Sequence, residues 1–345
     1  MKSKNLLIGL ACLLVLVVVL SITTKSQKPE EQPKFEIVEI GMGGAHRWSP
    51  DGTRIAFLAG GWLCVANADG KGEIQKIAQL QFNSFDWMSD SAFVVSENIP
   101  WTPEGKGRGH RLAIRAVDMM GQIRTIREDS IIVVPQSEYL TYGSVPVILN
   151  DGTVGYYEIH EKPEGKTKIF KTIKQGKLSP KKVAKQMRAF VDPYGWGDIW
   201  VEHIDGTMKK KVTSTERKYG SPKLSPDNTK IVAHHYGLGI SVLDLEGNVL
   251  ADFSKDLPQV EPGIIADITG ASWSPDSKKI TYDLIVESED TTYSRDIYIA
   301  NFDGTDKIKI PDIPGEIAGG PSWSPDGTKI ACRSGNGKIY VIKVK

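Results

Sequence analysis

The sequence predicts an all-β protein assembled from repeated four-stranded antiparallel units, and three observations lead there. An eleven-residue pattern recurs at Arg47 to Phe57 (RWSPDGTRIAF), Lys223 to Ala233 (KLSPDNTKIVA), Ser272 to Tyr282 (SWSPDSKKITY) and Ser322 to Cys332 (SWSPDGTKIAC). After each copy comes a run of alternating apolar residues that in most copies closes on a turn pair, as in Trp62 to Gly70 (WLCVANADG) and Asp296 to Gly304 (DIYIANFDG). The 345 residues, 40% hydrophobic and 25% charged with Gly 34 and Pro 19, make a turn-rich globular chain. With 43 basic against 42 acidic side chains, a formal net charge of +1 supplies no global field for nucleic acid, and no nucleic-acid partner is expected. Three cysteines at unrelated spacings make neither a disulfide framework nor a CxxC site.

In chain order, Lys2 and Lys4 form a basic flank over residues 1–5, and an apolar run follows from Leu6 to Leu20, continuing to Ile22. This reads as a transmembrane signal anchor over residues 6–22, with a cleaved secretory signal as the alternative. The basic flank prefers the cytoplasm, which puts the rest of the chain on the extracytoplasmic side of an inner membrane. Ala11-Cys12 resembles a lipidation signal, but only Leu6 to Ala11 precede the cysteine and the apolar run continues past it. Residues 23–34 (TTKSQKPEEQPK) read as an extended tether.

Phe35 to Ile40 (FEIVEI) is a spare strand before the first hairpin. In each hairpin Ser, Pro, Asp and Gly follow the preferred order of a type I turn between apolar flanks. Weaker copies stand at Asp86 to Ser96 and Val147 to Tyr157, and Lys177 to Ala184 offers another. The third-strand element recurs at Trp62, Arg111, Lys168, Asp198, Gly239, Asp296 and Lys338, and its Asp-Gly or similar ending turns into one more strand. Four strands, A to D, over roughly 40 to 50 residues make the unit of a β-propeller blade. Seven third-strand elements predict a single seven-bladed propeller over residues 35–345. Six blades are the alternative, since only Lys174 to Gly197 separate two of the elements. The chain ends on a C strand, so the spare strand is expected to close the ring as the outer strand of the last blade.

WSPDGTRIAF and DIYIANFDG are similar to the WD-repeat-like blades of the TolB family of bacterial envelope proteins and to the propellers that cover prolyl oligopeptidases. The resemblance spans Phe35 to Lys345. It implies a propeller fold and an envelope setting, while the turn motifs that carry it are scaffold. The mixed α/β domain that precedes the propeller in TolB has no counterpart in this reading, so TolB's own role does not transfer with the fold.

Trp48, Trp87, Trp273 and Trp323 precede the turn in four blades and are expected to pack between blades. Asp51, Asp227, Asp276 and Asp326, one per blade, are expected to cap turns rather than bind metal. The A–B and C–D turns share one end of a blade, and the B–C loops share the other. That second end gathers the candidate partner-binding residues. They are Trp101, Arg108, His110 and Arg111 in a loop from Glu97 to Arg111, then Tyr194 and Trp196 with Asp192, His235 and Tyr236 with His234, and Tyr293 and Arg295 with Glu287, Glu289 and Asp290. His160 belongs to the same end.

No GxSxG, HExxH, P-loop or GxGxxG occurs, and neither a catalytic residue, a cofactor nor a metal is assigned. A noncatalytic propeller that binds an envelope protein or polymeric ligand is therefore the leading reading. The alternative is a lyase or hydrolase acting on polysaccharide, with metal held by His160, His203 or His235 over the central channel, as in polygalacturonide-cleaving lyases built on similar propellers. Adjacent His234 and His235 cannot share one such site from an extended strand. Cys64 and Cys332 fall in the first and last blades as buried thiols, with a disulfide between these neighbours as the alternative.

Overall fold

A computed structural model describes residues 35–344 except 80–81, 102–108, 133–146, 149–153, 163–164, 174–186, 193–196, 204–207, 215–216, 236–238, 263, 289–292 and 316. The apolar run and tether of residues 1–34 lie outside the described residues. Among the described residues, no helix is long and apolar enough to cross a membrane.

The described strands form seven antiparallel sheets. Sheet 1 is built from His46–Trp48, Arg54–Ala59, Trp62–Asn67 and Gln75–Gln79, and sheet 2 from Phe82–Ser89, Ala92–Trp101, Gly109–Asp118 and Ile123–Ile132. Sheet 3 has Val147–Ile148, Val154–Lys162 and Gly165–Ile173, and sheet 4 has Met187–Asp192, Asp198–His203 and Lys209–Lys211. Sheet 5 comprises Tyr219–Leu224, Lys230–His235, Ile240–Asp244 and Val249–Asp252, followed by a 3-10 turn at Phe253–Asp256. Sheet 6 holds Ile264–Trp273, Lys279–Ser288, Tyr293–Asn301 and Ile308–Lys309. Sheet 7 takes Ile317–Trp323, Lys329–Ser334 and Lys338–Val344 from the end of the chain and its fourth strand, Phe35–Met42, from the beginning. This is an all-β architecture in which five of the seven described sheets have the four strands that the repeat predicts, and sheets 3 and 4 have three among the described residues.

Period-2 alternation sends successive side chains to opposite faces, and here both faces are buried. Ile55 and Phe57 of sheet 1 pack toward sheet 7 with Ile339 and Val341, while Ala56, Leu63 and Val65 pack toward sheet 2 with Phe85, Trp87 and Phe93. Similar apolar layers lie between sheets 4 and 5, 5 and 6, and 6 and 7. The tryptophans before the turns belong to these layers. Trp87 Nε1 donates to the Arg47 carbonyl at 3.2 Å, Trp48 Nε1 to Ser322 at 3.0 Å and Trp273 Nε1 to Lys223 at 3.0 Å, each bond joining one sheet to its neighbour. Trp323 is buried in the equivalent place.

The SPDG turns close in one way throughout. Ser49 Oγ donates to Asp51 Oδ1 at 2.6 Å, the same oxygen accepts from Thr53 N at 2.9 Å, and Gly52 N donates back to the Ser49 carbonyl. Ser225 with Asp227, Ser274 with Asp276, and Ser324 with Asp326 repeat the 2.6 Å bond. Burial alone would raise the Asp227 and Asp326 carboxyls, but bonds from serine, threonine and lysine outweigh it and hold both well below the usual carboxylate range. These aspartates cap turns. Gly247, in the C–D turn of sheet 5, combines a φ of +88° with a position where a Cβ would stand 2.2 Å from the Val212 carbonyl oxygen of the preceding sheet. Only glycine lets the sheets approach there.

Among the described residues, the outer strand of sheet 4 and the last described strand of sheet 3 are basic. Residues 165–191 contain nine Lys or Arg and no Asp or Glu, so the basic residues are less evenly spread than the net charge suggests. Lys166, Lys168 and Lys171 lie on Gly165–Ile173, at the end of the strand order in sheet 3, and Lys209–Lys211 is the outermost strand of sheet 4. Charged edges keep other chains from adding a strand. Lys209 and Lys211 also sit 5.0 and 6.0 Å from the ring centre of Trp200.

Phe35–Met42 pairs with Lys338–Val344 from Phe35 opposite Val344 to Met42 opposite Lys338, with one bulge between Glu39 and Gly41. Phe35 and Ile37 join the layer toward sheet 6, whereas Val38 and Ile40 join the layer toward sheet 1. Lys343 Nζ to Glu36 at 2.6 Å and Lys338 Nζ to Glu39 at 2.9 Å add exposed cross-strand pairs. The spare strand thus completes the last sheet. Deleting residues 35–40 should lower stability by several kcal/mol and promote aggregation, because two apolar layers lose their edge and a strand edge opens. Chemical denaturation and light scattering read this out, and a monomer with unchanged melting would overturn it. Gly247→Ala should destabilise by at least about 2 kcal/mol, from left-handed backbone strain plus the clash with Val212. A midpoint shift in urea measures that cost.

Candidate functional site

The B–C end is not level. Strand B of sheet 1 has six residues, Arg54–Ala59, and those of sheets 5 and 7 have six each, Lys230–His235 and Lys329–Ser334. In sheets 2 and 6 the equivalent strands, Ala92–Trp101 and Lys279–Ser288, have ten. Four more residues raise the hairpin about 13 Å at the rise of a strand. In sheet 3, Val154 pairs with Ile148 as Ile55 pairs with Trp48, and its strand likewise runs on to Lys162. Sheets 2, 3 and 6 therefore lift a rim above their neighbours.

Several residues chosen from sequence sit on that rim, and the structure corrects the form of their support. Glu97 to Arg111 is not a long loop. Trp101 pairs with Gly109, Pro100 with His110 and Ile99 with Arg111, so Trp101, His110 and Arg111 stand at the end of a ladder and only residues 102–108 remain between the strands. Ser96, Glu97 and Asn98 are three polar residues in a row and Pro100 follows, which is why the sequence reading ended the strand too early. Tyr293 opens the return strand of the sheet 6 hairpin opposite Glu287, and His160 pairs with Thr167 near the tip of the sheet 3 hairpin. Arg108, Tyr194, Trp196, Tyr236, Glu289 and Asp290 lie outside the described residues.

Two candidates lie away from the rim. His235 is buried at the end of its strand, edge-on to Tyr219, with Nε2 3.6 Å from Asp252, too far for a hydrogen bond. Burial, then the nearby Arg217, lowers its pKa. Arg295 pairs with Ile285 inside the sheet 6 hairpin, and its Nη1 fills the space over Gly319, 2.4 Å from where a Cβ would be. His234 faces the other way from His235, with Nε2 3.0 Å from Asp267 of sheet 6. Among the described residues, no three His, Cys, Asp or Glu side chains converge as a metal would require. Cys64 and Cys332 are both buried and free. They sit in different apolar layers, Cys64 toward sheet 7 and Cys332 toward sheet 6, so the body of sheet 7 separates them and the disulfide alternative falls.

Sequence reading missed the buried ionisable groups of sheets 1 and 6. Asp283 is 1% exposed, accepts from Gly320 N at 3.2 Å through Oδ2 and leaves Oδ1 without a partner. Burial pushes its pKa up to about 6, against the opposing pull of Arg295 and Lys223. His46 is buried with Nε2 3.3 Å from Ser322 Oγ, and burial, reinforced by Arg47, brings its pKa down to about 4. No motif marks either residue, because their surroundings come from other sheets.

Antiparallel meanders of three or four described strands, shared SPDG turns and the layers between sheets are consistent with a β-propeller whose turns resemble those of TolB-like, WD-repeat-like blades. A TolB homologue from Chlorobium luteolum is 30% identical over 154 residues, 43% of this chain and 32% of that protein, so the match spans about a third of the relative's length. No family model matches the chain. Among solved structures, a TolB-type protein from Agrobacterium tumefaciens aligns over 91% of this chain and 98% of its own with a TM-score of 0.43 at 16% identity. A chain of the mitotic checkpoint complex aligns over 93% and 95% with a TM-score of 0.49 at 15% identity. An oligogalacturonate lyase in complex with manganese aligns over 87% and 76% with a TM-score of 0.39 at 16% identity. At such identities these likenesses say nothing about activity.

His46 and Asp283 generate opposite pH dependences. A histidine whose pKa is lowered on folding loses its stabilising contribution as pH falls from about 6.5 to about 4, because the unfolded chain takes up the proton first. An aspartate whose pKa is raised gains stability over much the same interval, as pH falls from about 6 towards its unfolded value of 3.8. Each contribution is on the order of 3 kcal/mol, so in the parent protein they largely cancel. Melting curves at pH 7.5 and 4.5 should show Asp283→Asn losing more stability on acidification than the parent, and His46→Gln losing less. Identical slopes in all three proteins would refute the assignment.

Proposed function

We propose that this chain is a noncatalytic, seven-bladed TolB-like propeller over residues 35–345, held outside the cytoplasmic membrane by a segment over residues 6–22 and a tether over 23–34. In this reading its B–C rim receives an envelope protein or a polymeric ligand. The observation that carries the proposal is the uneven rim. Hairpins of sheets 2, 3 and 6 extend four residues beyond those of sheets 1, 5 and 7, and the Trp101 and Tyr293 positions stand at the ends of two of them. A scaffold gains nothing in its own core from such extensions, whereas walls around a lower floor create concave surface for a partner. Aromatic and arginine positions on the walls suit recognition. The TolB resemblance supports an envelope setting, and Lys2 and Lys4 before the apolar run support the orientation.

A photo-reactive residue placed at Trp101 or Tyr293 in the full-length protein should give discrete adducts in intact cells, while one at Asp69 or Lys329, on the SPDG end, should not. Adducts of equal yield from both ends would place the interaction elsewhere. For topology, a reporter fused after Lys345 should be active only outside the cytoplasm, and the protein should resist carbonate extraction. A soluble product beginning near Ile22 would show instead that the segment is a cleaved signal.

A further inference from the structure

Strand C of each sheet is covered on its outer side by strand D, and the described sheets differ in how far up that cover reaches. In sheets 1, 2 and 7 strand D pairs as far as Trp62, Gly109 and Lys338, in each case the first residue of strand C. In sheet 5 it reaches Ser241, the second residue, and in sheet 4 it reaches Trp200, with Val212 N donating to the Ile199 carbonyl beyond. Sheet 6 is different. Its strand C is Tyr293–Asn301, but strand D is only Ile308–Lys309, pairs with Ile299 and Tyr298, and gives way to a last bond from Ile310 N to the Ile297 carbonyl. Residues 293–296 therefore rise about 13 Å above the last rung. Height alone does not require this, since strand D of the equally tall sheet 2, Ile123–Ile132, follows its hairpin to the top.

The sequence explains the short cover. Pro311 has no amide to donate and ends the ladder, and Ile313, buried in the layer toward sheet 7, draws the chain inward instead of up along strand C. Among the described residues, no backbone group of residues 311–315 bonds to residues 293–296. The open side has a fixed polarity. The Ile297 carbonyl faces strand D, as does Asn301 N, which donates to the Thr305 carbonyl, so odd-numbered residues of strand C direct their backbone outward and Tyr293 continues that series. Strand B holds the same segment from within, from Tyr293 opposite Glu287 to Asp296 opposite Leu284, which keeps it extended. Ser294 is exposed, and Lys309, bonded to Asp296 at 3.0 Å and to Asp312 at 3.3 Å, marks the foot of the open edge. Such an edge selects its ligand by chemistry: another polypeptide in extended form offers donors and acceptors at the same two-residue spacing, and a sugar chain does not.

We propose that residues 293–296 are a strand-addition site, where a partner protein lays down an extended segment of about four residues as the missing upper part of strand D. The inference rests on the rim reading above and narrows it: the partner is a protein, and sheet 6 holds it through backbone.

The test uses full-length protein in intact cells, with a photo-reactive residue at Trp101 reporting the partner from the other wall of the rim. Tyr293→Pro and Tyr293→Ala both remove the ring, but only the first removes the outward amide, a change that the start of an edge strand tolerates. Adduct yield that falls at least about fivefold further in the proline variant supports strand addition. Equal yields in the two variants overturn it and leave the rim reading standing, whereas no Trp101 adduct in the parent protein overturns both. A photo-reactive residue at Ser294 in the otherwise unsubstituted chain guards against a proline variant that fails to fold. Its adduct should map by peptide mass spectrometry to one short segment of another protein. A synthetic peptide of that segment, added to purified full-length protein in detergent, should slow hydrogen exchange in residues 293–297 at least about tenfold. No adduct at Ser294, attachment to a polysaccharide, to residues 23–34 of the same chain or to a second copy of it, or exchange that the peptide does not slow overturns the proposal.

Discussion

Burial of both sheet faces, seen in the apolar layers on either side of sheets 1, 5, 6 and 7, is the constraint on which the rest of this structure depends. A sheet with one solvated face can end a fold, but a sheet with two apolar faces needs a neighbour on each side, and its neighbours need the same. Sheet 7 meets that need from both ends of the chain. Phe35 and Ile37 serve the layer toward sheet 6, Val38 and Ile40 the layer toward sheet 1, and the strand that carries them comes from the opposite end of the chain to its three partners. Closure is therefore a matter of chain connectivity as well as packing: pairing residues 35–42 with 338–344 ties the chain ends together and leaves no three-stranded remnant.

Once that layering is imposed, the A–B turns have little freedom. Asp51 N donates to Asp90 Oδ1 of the next sheet at 3.0 Å, and Asp227 N donates to Ser277 Oγ at 3.0 Å. Each turn is thus held by its neighbour as well as by its own serine and aspartate. The B–C hairpins carry no such obligation, because their tips extend past the apolar layers. Extra length there leaves the layers undisturbed, which is why sheets 2, 3 and 6 can grow a rim while sheets 1, 5 and 7 stay low.

Charge divides along the same line. On the surface, ion pairs such as Lys338 with Glu39 are exposed and contribute little individually. Close to the inner strands, His46 and Asp283 both shift toward their neutral forms, because each is enclosed by sheets that bring mainly apolar groups and glycine backbone. Gly270 and Gly319 lie so near Asp283 that a Cβ on either would stand 2.4 Å from its Oδ2. The carboxyl is walled in by backbone, with Gly320 N donating to Oδ2 and Oδ1 left unpartnered.

The sequence by itself determined the repeat, the turn chemistry and the need for a closing strand. Those are local matters: SPDG specifies a turn within four residues, alternation specifies two faces within six, and FEIVEI has apolar groups for both faces. The placement of Trp48, Trp87 and Trp273 between sheets was legible for the same reason, since a large apolar side chain in register with each turn has nowhere else to go. What only the tertiary structure decided are relations between distant segments. Trp48 bonds to Ser322, 274 positions away, and Lys223 Nζ donates to the Ala271 carbonyl of the next sheet. Cys64 and Cys332 were neighbours by blade but not by face, because which side of sheet 7 a residue occupies depends on where its strand starts. Hairpin height at the rim was hidden too, because the consecutive polar residues Ser96, Glu97 and Asn98 and then Pro100 interrupt the alternation, and only the pairing of Trp101 with Gly109 shows that the strand continues.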